Sequence, residues 1–350
     1  MLAADVSDVR AGFELDAARL EGYLADNLPG FQGPLSIGQF KGGQSNPTYL
    51  LHTAQRRYVL RRKPPGLLPV SAHAVDREYR VMRALKAHSA VPVPDALALC
   101  TDDTVIGTWF YVMGHVEGRV FWDTTFPEVA PTERTQYFDA MNASLASLHN
   151  VDPVAAGLSD YGKPGSYFAR QIGRWSRQYS VDADAGRVAD LERVIEWLNA
   201  NIPAGEEVRV VHGDYRCDNL IFHPTEARVV AILDWELSTL GHPLADFGYH
   251  MMMYRMPTLA VSGLLGRDWQ ALGIPSERDY VAAYCLRTQR NGVENLDFYV
   301  AFNLFRFAAI LHGIRGRVLR GNAVSERARE YARHVEAVAQ YAWLTAQQAS

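Results

Sequence analysis

Between Val210 and Phe222 the chain reads VVHGDYRCDNLIF. His212, Asp214 and Asn219 stand close together between apolar runs, and Asp234 follows Asp214 by twenty residues. These residue types at these spacings suit phosphoryl transfer. A carboxylate can accept the proton of an attacking hydroxyl. An amide oxygen and a second carboxylate are ligands for a hard cation such as Mg²⁺, with phosphates and water completing its shell. The runs NLIF and VVAILDW around the polar HPTEAR predict a hairpin. Asn219 opens it and Asp234 closes it, so antiparallel pairing brings both to one ion. Asp214 lies a few residues upstream, within reach of the same spot.

The elements that must position these groups fall into two textures. The 350 residues are 48% hydrophobic, enough for a well-buried core in one large domain or two lobes. A helix is expected at about Asp16 to Asn27. LSIGQFKGGQSNPTYLLHT then reads as a strand, a Gly-rich turn and a strand, and RRYVLRRK as a third strand ended by Pro64 and Pro65. SAHAVDREYRVMRALKAH follows as a helix capped by Ser71, with Val75, Tyr79, Met82 and Leu85 at helical spacing. TWFYVMGHVEG is a further strand. From Pro131 the pattern is mostly helical, as in TERTQYFDAMNASLASLH and DLERVIEWLNANI. The expected fold class is therefore α+β. It has two lobes, a small antiparallel-sheet lobe with one main helix over residues 1–115 and a larger helical lobe over 116–350. The joint falls near Met113 to Gly118, and a cleft between lobes is a natural nucleotide site.

Charge and composition narrow the classes. The formal charge is −4. Residues 37–115 hold ten Lys and Arg against five Asp and Glu, and residues 116–350 hold 23 against 28. This asymmetry suits a polyanion such as ATP, and equally an uneven solvated surface. No basic arm with interleaved aromatics is present, so nucleic acid is not an expected partner. The three cysteines, Cys100, Cys217 and Cys285, match neither a disulfide framework nor a zinc site, and imply a reducing, cytoplasmic setting. The first twenty residues do not read as a signal peptide. FYVAFNLFRFAAILHGI, interrupted by Asn303, Arg306 and His312, reads as a buried helix rather than a membrane span.

HGDYRCDN followed by ILDWE resembles the aminoglycoside phosphotransferase and choline kinase superfamily, which shares the protein-kinase-like fold. The family motif H-G-D-x-x-x-x-N is matched by His212, Gly213, Asp214 and Asn219. The resemblance implies Asp214 as catalytic base and Asn219 and Asp234 as Mg²⁺ ligands. It implies a structural role for His212. The literal DFG at Asp246, Phe247 and Gly248 is not the metal triplet of protein kinases. GHPLADFGY resembles a G-x-P-x-x-D segment whose Asp, here Asp246, braces the catalytic loop. Glu236 reads either as a ligand of a second metal or as a solvated strand end. Cys217 reads as inert.

The nucleotide lobe is expected to cradle ATP. Gly42 and Gly43 allow close backbone approach to phosphates, with Gln44, Ser45 and Asn46 as further donors. Arg61 stands where protein kinases place a third-strand Lys, with Glu78 as its helix partner. The fork of a guanidinium replaces a point charge there, and whether Lys63 helps stays open. Val59, two residues earlier on the same face, would roof the adenine. Backbone groups from Met113 to His115 would hold its edge.

Acceptor identity is less legible. Trp175, Tyr249 and Tyr254 could line a pocket or a core. Arg315, Arg317 and Arg320 complement a helix end or meet an anionic acceptor. FKGGQSNPTYLL, YVLRRKPPGLLPVSAHAVDREYRVMRAL, FYVMGHVEGRVFWD and ILDWELSTLGHPLADFGY look like the kinase-like domain of acyl-CoA dehydrogenase fusion proteins and its stand-alone bacterial relatives. That resemblance implies phosphorylation of a 4-hydroxy acid or its CoA thioester, on a route into β-oxidation, with a separate acyl-CoA dehydrogenase as functional partner. An aminoglycoside or choline-type kinase and a non-catalytic ATP-binding regulatory module are the alternatives.

Overall fold

A computed structural model of the chain describes residues 6–41, 46–64, 74–163, 165–323 and 325–349. Its strands are β1 (Val6–Ser7), β2 (Ser36–Phe40), β3 (Thr48–His52), β4 (Arg57–Arg62), β5 (Ala96–Cys100), β6 (Phe110–Gly114), β7 (Arg209–Val211), β8 (Leu220–Phe222), β9 (Val229–Ile232) and β10 (Thr239–Gly241). Its helices begin with α1 (Ala17–Asn27), α2 (Val75–His88), α3 (Asp103–Ile106), α4 (Pro131–His149), α5 (Tyr167–Val181) and α6 (Ala189–Ala200). They continue with α7 (Pro243–Arg255), α8 (Trp269–Leu272), α9 (Glu277–Thr288), α10 (Leu296–Leu319), α11 (Glu326–Ala332) and α12 (Val335–Gln348). The residues form two compact units. One gathers Met1–Val120, Val154–Tyr161 and Asp218–Ser238, the other Phe121–Pro153, Gly162–Cys217 and Thr239–Ser350.

In the first unit a six-stranded antiparallel sheet runs in the order β1-β2-β3-β4-β6-β5. Side chains alternate between its faces. Tyr58, Leu60, Phe110 and Val112 pack with Leu20, Leu24 and Leu28 from α1 and its end. Val59, Arg61, Tyr111 and Met113 occupy the alternate positions, in register as Val59 with Met113 and Arg61 with Tyr111. Glu78 of α2 reaches Arg61 and Tyr111. α1 is capped by Asp16, whose side chain accepts from the Arg19 amide. α2 starts at Val75 after Ala74, with no side-chain cap. The expected cap Ser71 lies outside the described residues, as do Gly42, Gly43, Gln44 and Ser45. The predicted hairpin is present: β8 and β9 pair antiparallel, Leu220 with Ile232.

The second unit is helical, with one short strand pair, β7 with β10. Pro131 starts α4, where its missing N–H costs nothing. The apolar run expected as a buried helix is α10, with Phe302, Leu304, Phe305 and Leu311 buried. Asn303 is fully buried and donates to the carbonyls of Ala245 and Tyr299 at 2.7 and 2.8 Å. Gly248 lets α7 approach α10: a Cβ there would lie 2.7 Å from the Cβ of Tyr299. Strands β5 and β7 escaped the sequence reading. ALALC lacks β-branched residues, and RVV is too short for a period to show.

Candidate active site

Within the first unit, Arg61 is the centre of a buried charge cluster. Its Nη2 donates to Asp234 Oδ1 at 2.7 Å and to Glu236 Oε2 at 3.4 Å. Its Nε lies 3.3 Å from Glu78 Oε2. Burial opposes charge on Arg61, but the carboxylates of Glu78, Asp234 and Glu236 outweigh it and hold the guanidinium firmly protonated. Glu78 is 1% exposed. Burial pushes its carboxyl up to about 7, with Arg61 pulling the other way. Tyr111 and Asn46 donate to Glu78 at 3.1 and 3.0 Å.

Asn46 is itself fully buried, with its amide on Glu78 and, at 3.5 Å, on Glu236. It ties together the two acids that flank Arg61. Glu236 sits in a helical turn, Trp235–Leu237, bonded to Arg61 and Asn46, so it is not a solvated strand end. Lys63 places its Nζ 4.0 Å from the centroid of the Trp109 ring, a cation–π contact.

Asn219 and Asp234 occupy the two ends of the β8–β9 hairpin. The Leu233 amide donates to the Asn219 carbonyl at 2.8 Å, which sets Asn219 beside the residue before Asp234. Asp234 is held at φ 63, a left-handed conformation that costs a residue with a Cβ about 1–2 kcal/mol. Among the described residues no group of three or more His, Cys, Asp and Glu is arranged to hold a metal. The donors present at the hairpin ends are oxygens. That fits a hard cation which draws most of its ligands from phosphates and water. Val59 is buried, and the His115 amide donates to the Arg57 carbonyl at 3.4 Å. A hollow of about 480 Å³ lies by Gly114 and His115, lined also by His52, Arg57, Asp95 and Glu117; it includes none of Arg61, Glu78 and Asp234.

Within the second unit the residues before the hairpin form a pinned loop. Asp246, at the start of α7, accepts from the amides of His212 and Gly213 at 2.6 and 2.8 Å and from His149 Nε2 at 3.2 Å. Gly213 makes this possible at φ 85, where a side chain is unfavourable. Burial raises the Asp246 carboxyl, but His149 and the loop amides win and hold it below the usual carboxylate range. His212 is fully buried, and its Nδ1 accepts from the Asp214 amide at 3.2 Å. Asp214 Oδ1 receives the Tyr249 hydroxyl and Arg216 Nε, the latter at 3.1 Å. Burial first, and the Asp214 carboxylate second, push the Tyr249 phenol well above its ordinary range, so it stays a donor. Arg306 donates to the Gly213 carbonyl at 2.7 Å.

The sequence reading missed His149, Tyr111, Arg216 and Arg306 as parts of this framework. Tyr249 was noticed only as an aromatic. It follows Asp246 by three on one helix, which sets both on one side of α7; that spacing was the available signal. Cys217 is buried in the turn Cys217–Asn219. Arg315 bonds Glu336, and Arg320 pairs with Asp182 and Asp184 at 2.7 and 3.1 Å. Both cations already meet carboxylates, so neither Arg315 nor Arg320 stands ready for an anionic acceptor. Tyr254 is buried, with its hydroxyl on the Pro275 carbonyl at 3.0 Å.

Comparison with known proteins places the chain in a family. The model of the phosphotransferase enzyme family matches residues 36–284. Acyl-CoA dehydrogenase family member 11 of Gallus gallus is 44% identical over 344 residues, which cover 95% of this chain and 44% of that protein. The chain spans less than half the length of the curated relatives it matches first. A crystal structure from Ralstonia eutropha JMP134, described as a candidate aminoglycoside phosphotransferase, is 46% identical with a TM-score of 0.89, over 96% of this chain and 100% of that one. A spectinomycin phosphotransferase solved with ADP and spectinomycin shares the fold at 10% identity and a TM-score of 0.62, over 95% of this chain and 99% of that one. No described helix is long and apolar enough to cross a membrane. With its α+β architecture, its H-G-D-x-x-x-x-N loop braced by Asp246, and a family match over most of its length, the chain belongs to the phosphotransferase enzyme family.

Proposed function

We propose that this chain is a kinase that moves the γ-phosphoryl group of ATP to the hydroxyl of a 4-hydroxy acid or its CoA thioester. The observation that carries the reading is Asp214, presented by a loop whose two preceding amides are fastened to Asp246. A carboxylate held in this way can accept the acceptor's hydroxyl proton as the oxygen attacks phosphorus. Arg61, kept charged by three acids, supplies a cation for the phosphates, and Glu78 positions it. Val59 and the backbone from Met113 to His115 are the adenine-facing groups of this reading. In the same reading, phosphate contacts are assigned to Gly42, Gly43, Gln44 and Ser45, which lie outside the described residues, and to Asn46, which follows them. Asn219 and Asp234 would hold Mg²⁺, which supplies neutralisation of the charge on the transferring group.

The acyl-CoA part of the proposal draws on the name of the Gallus gallus relative. It carries with it a functional partnership with an acyl-CoA dehydrogenase. An aminoglycoside acceptor is the second reading, favoured by the description of the Ralstonia eutropha structure.

The test is ADP release from Mg²⁺-ATP with 4-hydroxyvaleryl-CoA, the free 4-hydroxy acid, choline and an aminoglycoside panel. Turnover on the hydroxy acid or its thioester is the expected result. Turnover confined to an aminoglycoside or choline would replace the acceptor class. Tight ATP binding without ADP release on any acceptor would make the chain a regulatory module. Asp214→Ala should keep ATP affinity and lose turnover; an equal fall in both would make Asp214 a binding residue.

A further inference from the structure

Helix α5 carries Arg170, Arg174 and Arg177 and no Asp or Glu. Their spacing of four and three places them on one face. Arg170 donates to the Lys163 carbonyl at 2.7 Å. Arg174 and Arg177 have no ion-pair partner among the described residues. Two guanidinium groups approach the Trp175 ring: that of Arg174 is 5.3 Å from its centroid and that of Arg306 is 5.9 Å. Arg306 also covers the Tyr249 ring at 5.4 Å. Its hydrogen bond to the Gly213 carbonyl ties this group to the residue before Asp214. It too has no ion pair among the described residues.

The Trp175 indole N–H is buried and has no hydrogen-bond acceptor among the described residues. An indole N–H can only donate. The carboxylates that face this region have donors of their own. Asp214 receives Tyr249 and Arg216, and Asp246 receives His149 and the two loop amides. Two guanidinium groups, one of which already donates to the Gly213 carbonyl, thus approach the ring of a tryptophan whose covered N–H has no acceptor among the described residues. Buried donors are normally satisfied, and guanidinium groups pair best with anions that carry several oxygens.

We infer that Arg174, Trp175 and Arg306 form a binding site for the anionic group of the acceptor, a carboxylate or a phosphate ester. This deepens the kinase reading and rests on Asp214 as the group that meets the acceptor's hydroxyl. Arg306 fixes the site's distance from Asp214 by bonding the loop itself. A planar guanidinium fork suits carboxylate and phosphate oxygens alike. The same cations repel an aminoglycoside, so the site also selects against polycations.

The test uses the full chain and two independent readouts. The first is steady-state ADP release with three acceptors: the free 4-hydroxy acid, its CoA thioester, and its pantetheine thioester, which carries neither carboxylate nor phosphate. The second is calorimetric binding of CoA and of the free acid without ATP, beside binding of ADP. Arg174→Ala, an exposed change, and Arg306→Met should each weaken acceptor binding and raise its KM about tenfold or more. ADP affinity should be unchanged. Loss on the free acid identifies the carboxylate as the ligand; loss on the CoA compounds alone identifies the phosphates. Unchanged anion binding in Arg174→Ala, or pantetheine thioester turned over as well as the charged acceptors, overturns the inference. Anion binding that the variants lose, with no turnover of any hydroxy acid or thioester, would keep the anion site and refute the acceptor identity proposed above.

Discussion

Replacing Asp246 by Asn changes almost no volume and removes one charge, so it isolates what this carboxylate does. Asp246 is 3% exposed and accepts three N–H groups, from His212, Gly213 and His149. An amide offers one oxygen, and its NH₂ must face one of those donors. At least one buried N–H is then left unpaired, at about 1–3 kcal/mol, and the remaining bonds lose their charge assistance. The sum is about 3–5 kcal/mol, a large part of the stability of an ordinary domain. Urea unfolding at neutral pH, followed by fluorescence, measures it.

The same carboxylate predicts a pH signature. Its folded pKa is depressed, so its contribution is present above the unfolded value of about 3.9 and is lost as pH falls through the folded one. The gap between parent and Asp246→Asn should therefore narrow on acidification below about pH 4. A gap under about 1 kcal/mol at neutral pH, or one that stays constant on acidification, would refute the bracing role.

Two further substitutions test the framework. Glu78 has its pKa raised from 4.5 to about 7, chiefly by burial. Its contribution is fully present below 4.5 and lost as pH rises to about 7, a loss of about 3 kcal/mol. Glu78→Gln should gain on the parent across that window in urea midpoints measured against pH, and parallel curves would show that the carboxyl is not held protonated. Gly248→Ala should lower the unfolding midpoint. At an exposed helix site Ala would stabilise by about 1 kcal/mol, but its Cβ here meets Tyr299 side-chain and backbone atoms at 2.7 to 2.8 Å, and overpacking costs about 1–3 kcal/mol. A raised midpoint would mean that α7 and α10 can separate at no cost.

The site was legible in the sequence where chemistry depends on short range. His212, Asp214 and Asn219 share one loop, and the hairpin that brings Asn219 toward Asp234 is set by two apolar runs around a polar turn. Strand periodicity placed Val59 and Arg61 on one face of β4, and helix periodicity placed Glu78 on α2, whose ion pair with Arg61 joins residues 17 apart. The resemblance to phosphotransferases located Asp246 behind the loop, where spacing alone would have read DFG as a metal triplet.

What only the tertiary structure decided are contacts between elements far apart in the chain. Arg61 meets Asp234 across 173 residues, and Asn46 reaches Glu236 across 190. The hairpin of residues 218–238 joins the unit of the sheet, although it follows three helices of the other part, α4, α5 and α6. His149 on Asp246, Tyr249 on Asp214 and Arg306 on Gly213 likewise depend on which helix faces meet. Periodicity says that a face is buried, but the partner is chosen by packing and by the need to satisfy each buried polar group. The amino-acid order determined the chemistry available to this chain, and the packing decided which charges hold that chemistry in place.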